Sequence, residues 1–212
     1  MRTAALVMTC LAATLHSEII DRLLITVGQH RVITELQLDE ELRVTAFLNG
    51  TPVVRDAETR RQAADRLVEQ LLIRREMDLS RYPLPDAKEV SSYLEQMQSR
   101  FGTPEEFRER MGAYDLTEEV LREHLAFQLT TVRFIEYRFS SDLSVSDDDI
   151  RNYYQNEAAR DKQAGKNPPA FAAVEESIRQ KLVEQRTDQA LDNWLEETRK
   201  QVNIVYLDKT LQ

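Results

Sequence analysis

A mainly helical fold with short paired strands at its two ends is what this sequence predicts, on three observations. Charged residues make up 31% of the 212 positions and glycine occupies only 5, a balance that favours helices over a β-sandwich. Apolar residues recur at three-and-four spacing through most of the chain, leaving one buried stripe per segment. Two short β-prone runs break that pattern, Leu23 to Val27 near the start and Ile204 to Leu207 near the end. A lone strand cannot satisfy its backbone, so each run needs the other. The chain's end then clamps its beginning, and the helices between hang on that clamp.

The first 17 residues read as an address. Arg2 gives a positive start, and Ala4 to Leu15 is a largely apolar run of 12 residues, followed by Ser17. That length fits a secretory leader and falls short of the roughly 18 residues that span a bilayer. Cys10 is the only cysteine, so a chain processed after residue 17 has none, and no disulfide framework or Cys-based zinc site is expected.

The body is expected from 18 to 212 in three parts. Residues 18–140 form a strand region and a helical bundle, 141–170 a helix and linker, and 171–212 a long helix and a returning strand. Gly28-Gln29-His30 turns the chain between Leu23-Val27 and Arg31-Val32-Ile33. Thr34 with Gln37 makes a capping box for a helix carrying Leu36, Leu38, Leu42, Val44 and Phe47. Asp56 caps a helix from Ala57 to Asp78 with Ala63, Ala64, Leu67, Val68, Leu71 and Leu72 on its core stripe. A third helix spans Asp86 to Arg100. Thr103-Pro104-Glu105-Glu106 combines a cap, a proline at the first helical position and a capping glutamate. Thr117 opens a helix to Phe139 with two apolar stripes, one through Leu121, Leu125, Leu129, Val132 and Ile135, the other through Val120, Phe127 and Phe134. Two stripes predict burial between neighbours. Ser146 with Asp149 caps the next helix, and 157–167 reads as a charged linker into Pro168-Pro169 and the last long helix from Phe171.

Chemistry is sparse. The net charge of -9 works against nucleic acid or an anionic membrane as partner. The three histidines, 16, 30 and 124, show no metal-ligand spacing, so His124 is expected to be a surface or capping residue and no metal is expected. The glycines are scattered, so no phosphate loop and no nucleotide or other cofactor is expected. Asp147-Asp148-Asp149 suits a helix N-terminus. What remains is a set of adaptable apolar residues. Met77, Tyr82, Met97, Phe101, Met111 and Tyr114 are the candidate peptide-binding residues, because methionine and aromatic side chains repack around varied apolar segments. The same residues also suit a plain helical core.

The order of these pieces resembles one family. A leader, a strand and then Val32-Ile33-Thr34 opening a helix, a helical middle, Val145 to Asn156 with Tyr153-Tyr154, the run Phe171 to Leu182, and the tail from Trp194 to Leu207 together are similar to periplasmic chaperones of the SurA type. The resemblance implies a helical chaperone module with paired terminal strands, located in the periplasm. Its implied partners are unfolded or nascent polypeptides, outer-membrane proteins in transit among them. Such proteins commonly carry a parvulin-type prolyl isomerase domain between the Tyr-Tyr helix and the last helix. Here Glu157 to Pro169 is too short to bury a catalytic core, so no catalytic residue is carried over and the chain is not expected to be an enzyme. A prolyl isomerase and a structural subunit of an envelope complex stand as alternatives. A long terminal helix beside a proline hinge also suits a homodimer that exchanges its C-terminal helix.

Overall fold

The computed structural model describes residues 21–140 and 144–212. The leader reading of 1–17, with Cys10 and His16, lies outside the described residues, as do 141–143 of the linker. The chain is mainly helical, with seven α-helices and one small antiparallel sheet among the described residues.

Strands β1 (Leu23–Val27), β2 (Arg31–Thr34) and β3 (Ile204–Tyr206) form a sheet of order β2-β1-β3. The terminal runs therefore pair as their sequences require, with Ile25 opposite Tyr206 and Val27 opposite Ile204. Gly28 adopts φ +66°, the left-handed region open to glycine, and its N–H donates to the Asn203 carbonyl at 2.8 Å. One residue thus turns the β1–β2 hairpin and ties it to the start of β3. The β1–β2 register shifts between Leu23 and Ile25, and this bulge lets Leu24 and Ile25, adjacent in sequence, both be buried. The Leu24 carbonyl accepts the N–H groups of Leu207 and Asp208, while Arg22 pairs with Asp208.

Helix α1 (Glu35–Asn49) starts from the Thr34–Gln37 capping box and ends at Gly50, φ +64°. Helix α2 (Ala57–Ser80) is capped by Asp56. It runs two residues past the expected Asp78, because Arg81 takes the left-handed closing position at φ +52°. Helices α3 (Ala87–Gln98) and α4 (Pro104–Ala113) begin at the capping boxes of Asp86 and Thr103. Helix α5 (Glu118–Ile135) starts at Thr117 and continues into a wider π turn, Glu136–Ser140. Helix α6 (Asp147–Gln163) starts at the Ser146 box and continues well into the stretch expected to be a linker. Its charged residues pair along the helix, as in Arg160–Glu157, rather than keeping the chain extended. Residues 164–170 connect it to α7 (Phe171–Gln201), which is unbroken through its polar middle and roughly 46 Å long at about 1.5 Å per residue.

Two cores result. The first lies under the sheet and joins Leu24, Ile25, Ile33, Leu38, Leu42, Val68, Leu72, Met77, Phe134, Leu195 and Leu211. The second gathers Val44, Phe47, Leu94, Phe107, Met111, Leu116, Leu121 and Leu125. Helices α1 and α5 feed both. The expected double burial of α5 holds for Leu121, Leu125 and Phe134 but not for Val132, which is 53% exposed. Beyond Leu125 the helix leaves the second core, and Phe134 on the other face takes the buried position. Leu36, placed among the apolar residues of α1, is also exposed, since it sits in the first turn beyond the sheet's cover.

The last helix serves two neighbours. Its first half packs on α6, where Ile150 and Ile178 are buried and Arg179 and Arg186 pair with Asp147 and Asp149. Its second half returns to α2, where Arg199 reaches Asp65 and Glu69, and to the π turn, where Trp194 meets Phe139 at 6.0 Å between ring centres.

Candidate functional site

The six candidate residues divide between the two cores. Met97, Phe101, Met111 and Tyr114 all join the second, around Phe47. Phe101 stacks on Phe47 at 5.1 Å between centroids, and Phe107 and Tyr114 meet it edge-on at 5.8 and 5.7 Å. Arg110 lies over the outer face of Phe101 at 5.2 Å, and the Tyr114 hydroxyl donates to the Thr51 carbonyl at 3.0 Å. Met111 is 4% exposed and fills this box. These four residues therefore do not line a common groove with the other two.

Met77 and Tyr82 sit at an open cleft of about 740 Å³. Its walls are the end of α2, the connection 81–85 and the middle of α5. The left-handed Arg81 ends α2 abruptly, and the Tyr82 N–H closes back on the Met77 carbonyl at 3.0 Å. Pro83 and Pro85 then prevent a helix from resuming at once, which holds Leu84 out at the rim, 77% exposed. Phe127 and Thr130 supply the wall from α5. Thr130 is buried, and its hydroxyl is satisfied by the Ala126 carbonyl at 2.7 Å. Tyr82 meets buried Phe134 edge-on at 5.2 Å on one side and Tyr137, 68% exposed, at 5.6 Å on the other. This aromatic column runs from the first core to the surface. Charge rings the cleft: Arg74 stands over Phe127 at 4.6 Å from its ring centre, Asp78 pairs with Arg31, and Arg81 and Glu123 complete the rim.

A second cleft, about 680 Å³, lies between the end of α5 and the first half of α7. Val132, Ile135 and Val183 give it an apolar floor, and Glu184, Thr187 and Asp188 come from the polar middle of α7. That polar stretch is thus split. Some of it lines the cleft, whereas Arg186 turns away to Asp149 and the Ser144 carbonyl.

Beneath the sheet a smaller cavity of about 210 Å³ lies among β2, α1, α2 and α5. His124 lines it, half-buried rather than standing free on the surface as expected, on the same face of α5 as Phe127 and one turn before it. Burial pushes its imidazolium below the ordinary histidine range, with the Glu41 charge pulling the other way. Glu41 is 6% exposed and accepts from Arg66 Nε at 3.0 Å, from Gln70 and from Thr45. Burial raises the Glu40 carboxyl, opposed by Arg43 and reinforced by Glu123 and Glu41.

The residues that sequence reasoning did not assign to binding are Leu84, Pro85, Phe127, Val132, Ile135 and Val183. The available signal was on α5, whose two apolar stripes exceed what its neighbours cover, and at Leu84, an apolar residue held between two prolines. Among the described residues no group of three or more His, Cys, Asp or Glu could hold a metal ion, and no helix is long and apolar enough to cross a membrane. The arrangement provides apolar surface at the mouth of a charged rim. No protein-family model matches the chain, and no curated protein matches it.

Proposed function

We propose that the protein is an ATP-independent chaperone of the periplasm that holds unfolded polypeptide segments, outer-membrane protein precursors above all. One observation carries the proposal. The 740 Å³ cleft has an apolar floor of half-buried Tyr82 and Phe127 over the buried Met77, with Leu84 at its mouth left largely uncovered by the rest of the chain. A space of that size takes one or two large side chains of an extended segment. The aromatic column Tyr137–Tyr82–Phe134 offers ring faces, and the flexible Met77 thioether fits rings and branched side chains alike. The charged rim keeps a loaded complex in solution.

Release in this scheme needs no nucleotide, because a shallow open cleft exchanges its occupant quickly. The leader-like 1–17 supports the periplasmic assignment. The proposal includes no isomerase activity: residues 164–170 join α6 to α7 directly, a length that cannot bury a catalytic core. The test is aggregation of a denatured outer-membrane β-barrel protein, diluted with and without residues 18–212. Scattering is expected to fall with chaperone concentration until it saturates. Unchanged aggregation at several-fold excess of well-folded protein overturns the proposal.

A further inference from the structure

The small cavity beneath the sheet and the open cleft share a wall: Arg74, Glu123 and Phe127 line both. We propose that the cavity is a proton-operated latch on the cleft, in which protonation of His124 displaces Arg74 from the Phe127 ring and bares that ring to a bound polypeptide. The inference rests on the cleft being the binding site, but the latch can be observed without a client.

The geometry supplies each part. His124 and Phe127 lie one turn apart on the same face of α5. Arg74 reaches across from α2 and covers Phe127 at 4.6 Å. Facing His124 from α1 are Glu40 and Glu41, with Arg43 acting on Glu40; from α2 come Arg74 and Gln70, with Arg66 holding Glu41. Strand β2 presents only Val32 and Ile33 to the cavity, and α5 itself adds Glu123. With His124 neutral, Arg74 is the lining cation that faces three carboxylates. A protonated His124 adds a second cation to this wall, competes for those carboxylates and repels Arg74. Arg74 has somewhere to go, because it also borders the open cleft. Phe127 then loses its cation cover, and the floor of the cleft gains apolar surface.

Burial sets the working range. His124 takes its proton below the ordinary histidine value of 6.5, and Glu40 loses its proton above the ordinary glutamate value of 4.5, so the cavity changes charge on the acid side of 6.5. The cleft is expected to hold its client more tightly on the acid side, by about threefold, the worth of one exposed cation–π contact.

The test uses residues 18–212 and follows the ring signals of His124 and Phe127 and the Arg74 Nε signal by NMR from pH 8 to pH 5. All three are expected to move on one curve with a midpoint below 6.5, and Phe127 is expected to stop responding in His124→Gln. Phe127 and Arg74 signals that stay still while His124 titrates overturn the latch. Should His124→Gln lose its fold by circular dichroism, Arg74→Gln replaces it and is expected to leave Phe127 insensitive to pH. Reduced, carboxymethylated α-lactalbumin then serves as an unfolded probe at pH 7.5 and 5.5. Threefold tighter binding at pH 5.5 that disappears in the variant supports the latch. Coupled signals without any probe binding keep the latch and remove the chaperone reading. Equal binding at both pH values with uncoupled signals keeps the chaperone reading and removes the latch.

Discussion

The second core and the open cleft are made of the same materials. Each joins methionine to aromatic rings and sets an arginine over a phenylalanine, Arg110 on Phe101 in one and Arg74 on Phe127 in the other. Yet Phe47 is fully buried among three rings, while Tyr82 has a buried ring on one side and an exposed one on the other. The difference lies in what the chain does next. After α3, Phe101-Gly102 turns it back and α4 closes over Phe47. After α2, Arg81 and two prolines carry it away before anything can cover Tyr82. Residue type therefore sets stickiness, and the backbone decides whether that stickiness is spent internally.

The strongest way to break this comparison is Phe47→Ala. It removes the centre of the closed box and is expected to cost about 3–5 kcal/mol, read from urea unfolding. A loss under about 1 kcal/mol would show that the box is no core. Tyr82→Ala is expected to cost less, about 2 kcal/mol, since only one of its faces is packed, but to lose most suppression of client aggregation. If Phe47→Ala and Tyr82→Ala impair holding equally at a temperature where both stay folded, the two regions are not distinct in function.

Acid sharpens the contrast, because burial displaces the titration of His124 and Glu40 in the cavity beside the cleft. His124 sits below its unfolded value, so the unfolded chain binds that proton more readily. Stability from this group is intact above pH 6.5 and is lost as pH falls from there through the folded value. Glu40 has the opposite sign: its penalty applies above its raised folded value and is relieved as pH falls. Thermal melts from pH 8 to pH 5 are thus expected to be flatter in His124→Gln than in the wild type, and steeper in Glu40→Gln. Identical profiles in all three would remove any role for the cavity in acid stability. The smallest expected effect on folding is Leu84→Ser. Stability should stay within about 0.5 kcal/mol because the side chain is already in water, while client holding weakens. Unchanged holding would take Leu84 out of the binding surface.

Much of the fold was legible because its signals are local. Each cap at Thr34, Asp56, Thr103, Thr117 and Ser146 acts on a backbone group three residues away, so the sequence alone contains both partners. The pairing of β3 with β1 was legible because a lone C-terminal strand needs a partner and the good candidate lay near the N-terminus. The site was only partly legible. Met77 and Tyr82 do line a cleft, but Met97, Phe101, Met111 and Tyr114 read identically and pack in or against the second core, and nothing within a helix tells where a neighbour will stop. Val132 shows the same limit. Its spacing matches that of Leu121 and Leu125, and it is exposed only because the second core ends about two turns earlier, at Leu125. His124 was expected at the surface or at a cap because the charge that acts on it, Glu41, lies 83 positions away, on α1.

The antiparallel seam between β1 and β3 also sets an order of events. Arg22 and Asp208, which flank it, are 186 positions apart. A chain delivered N-terminus first, from a ribosome or through a narrow pore, presents β1 long before its second neighbour, with all seven helices in between. Contacts so distant in sequence close slowly. Until residue 206 has emerged, β1 has one vacant edge and Leu24 and Ile25 lack part of their cover, so this seam closes only after every helix between has been delivered.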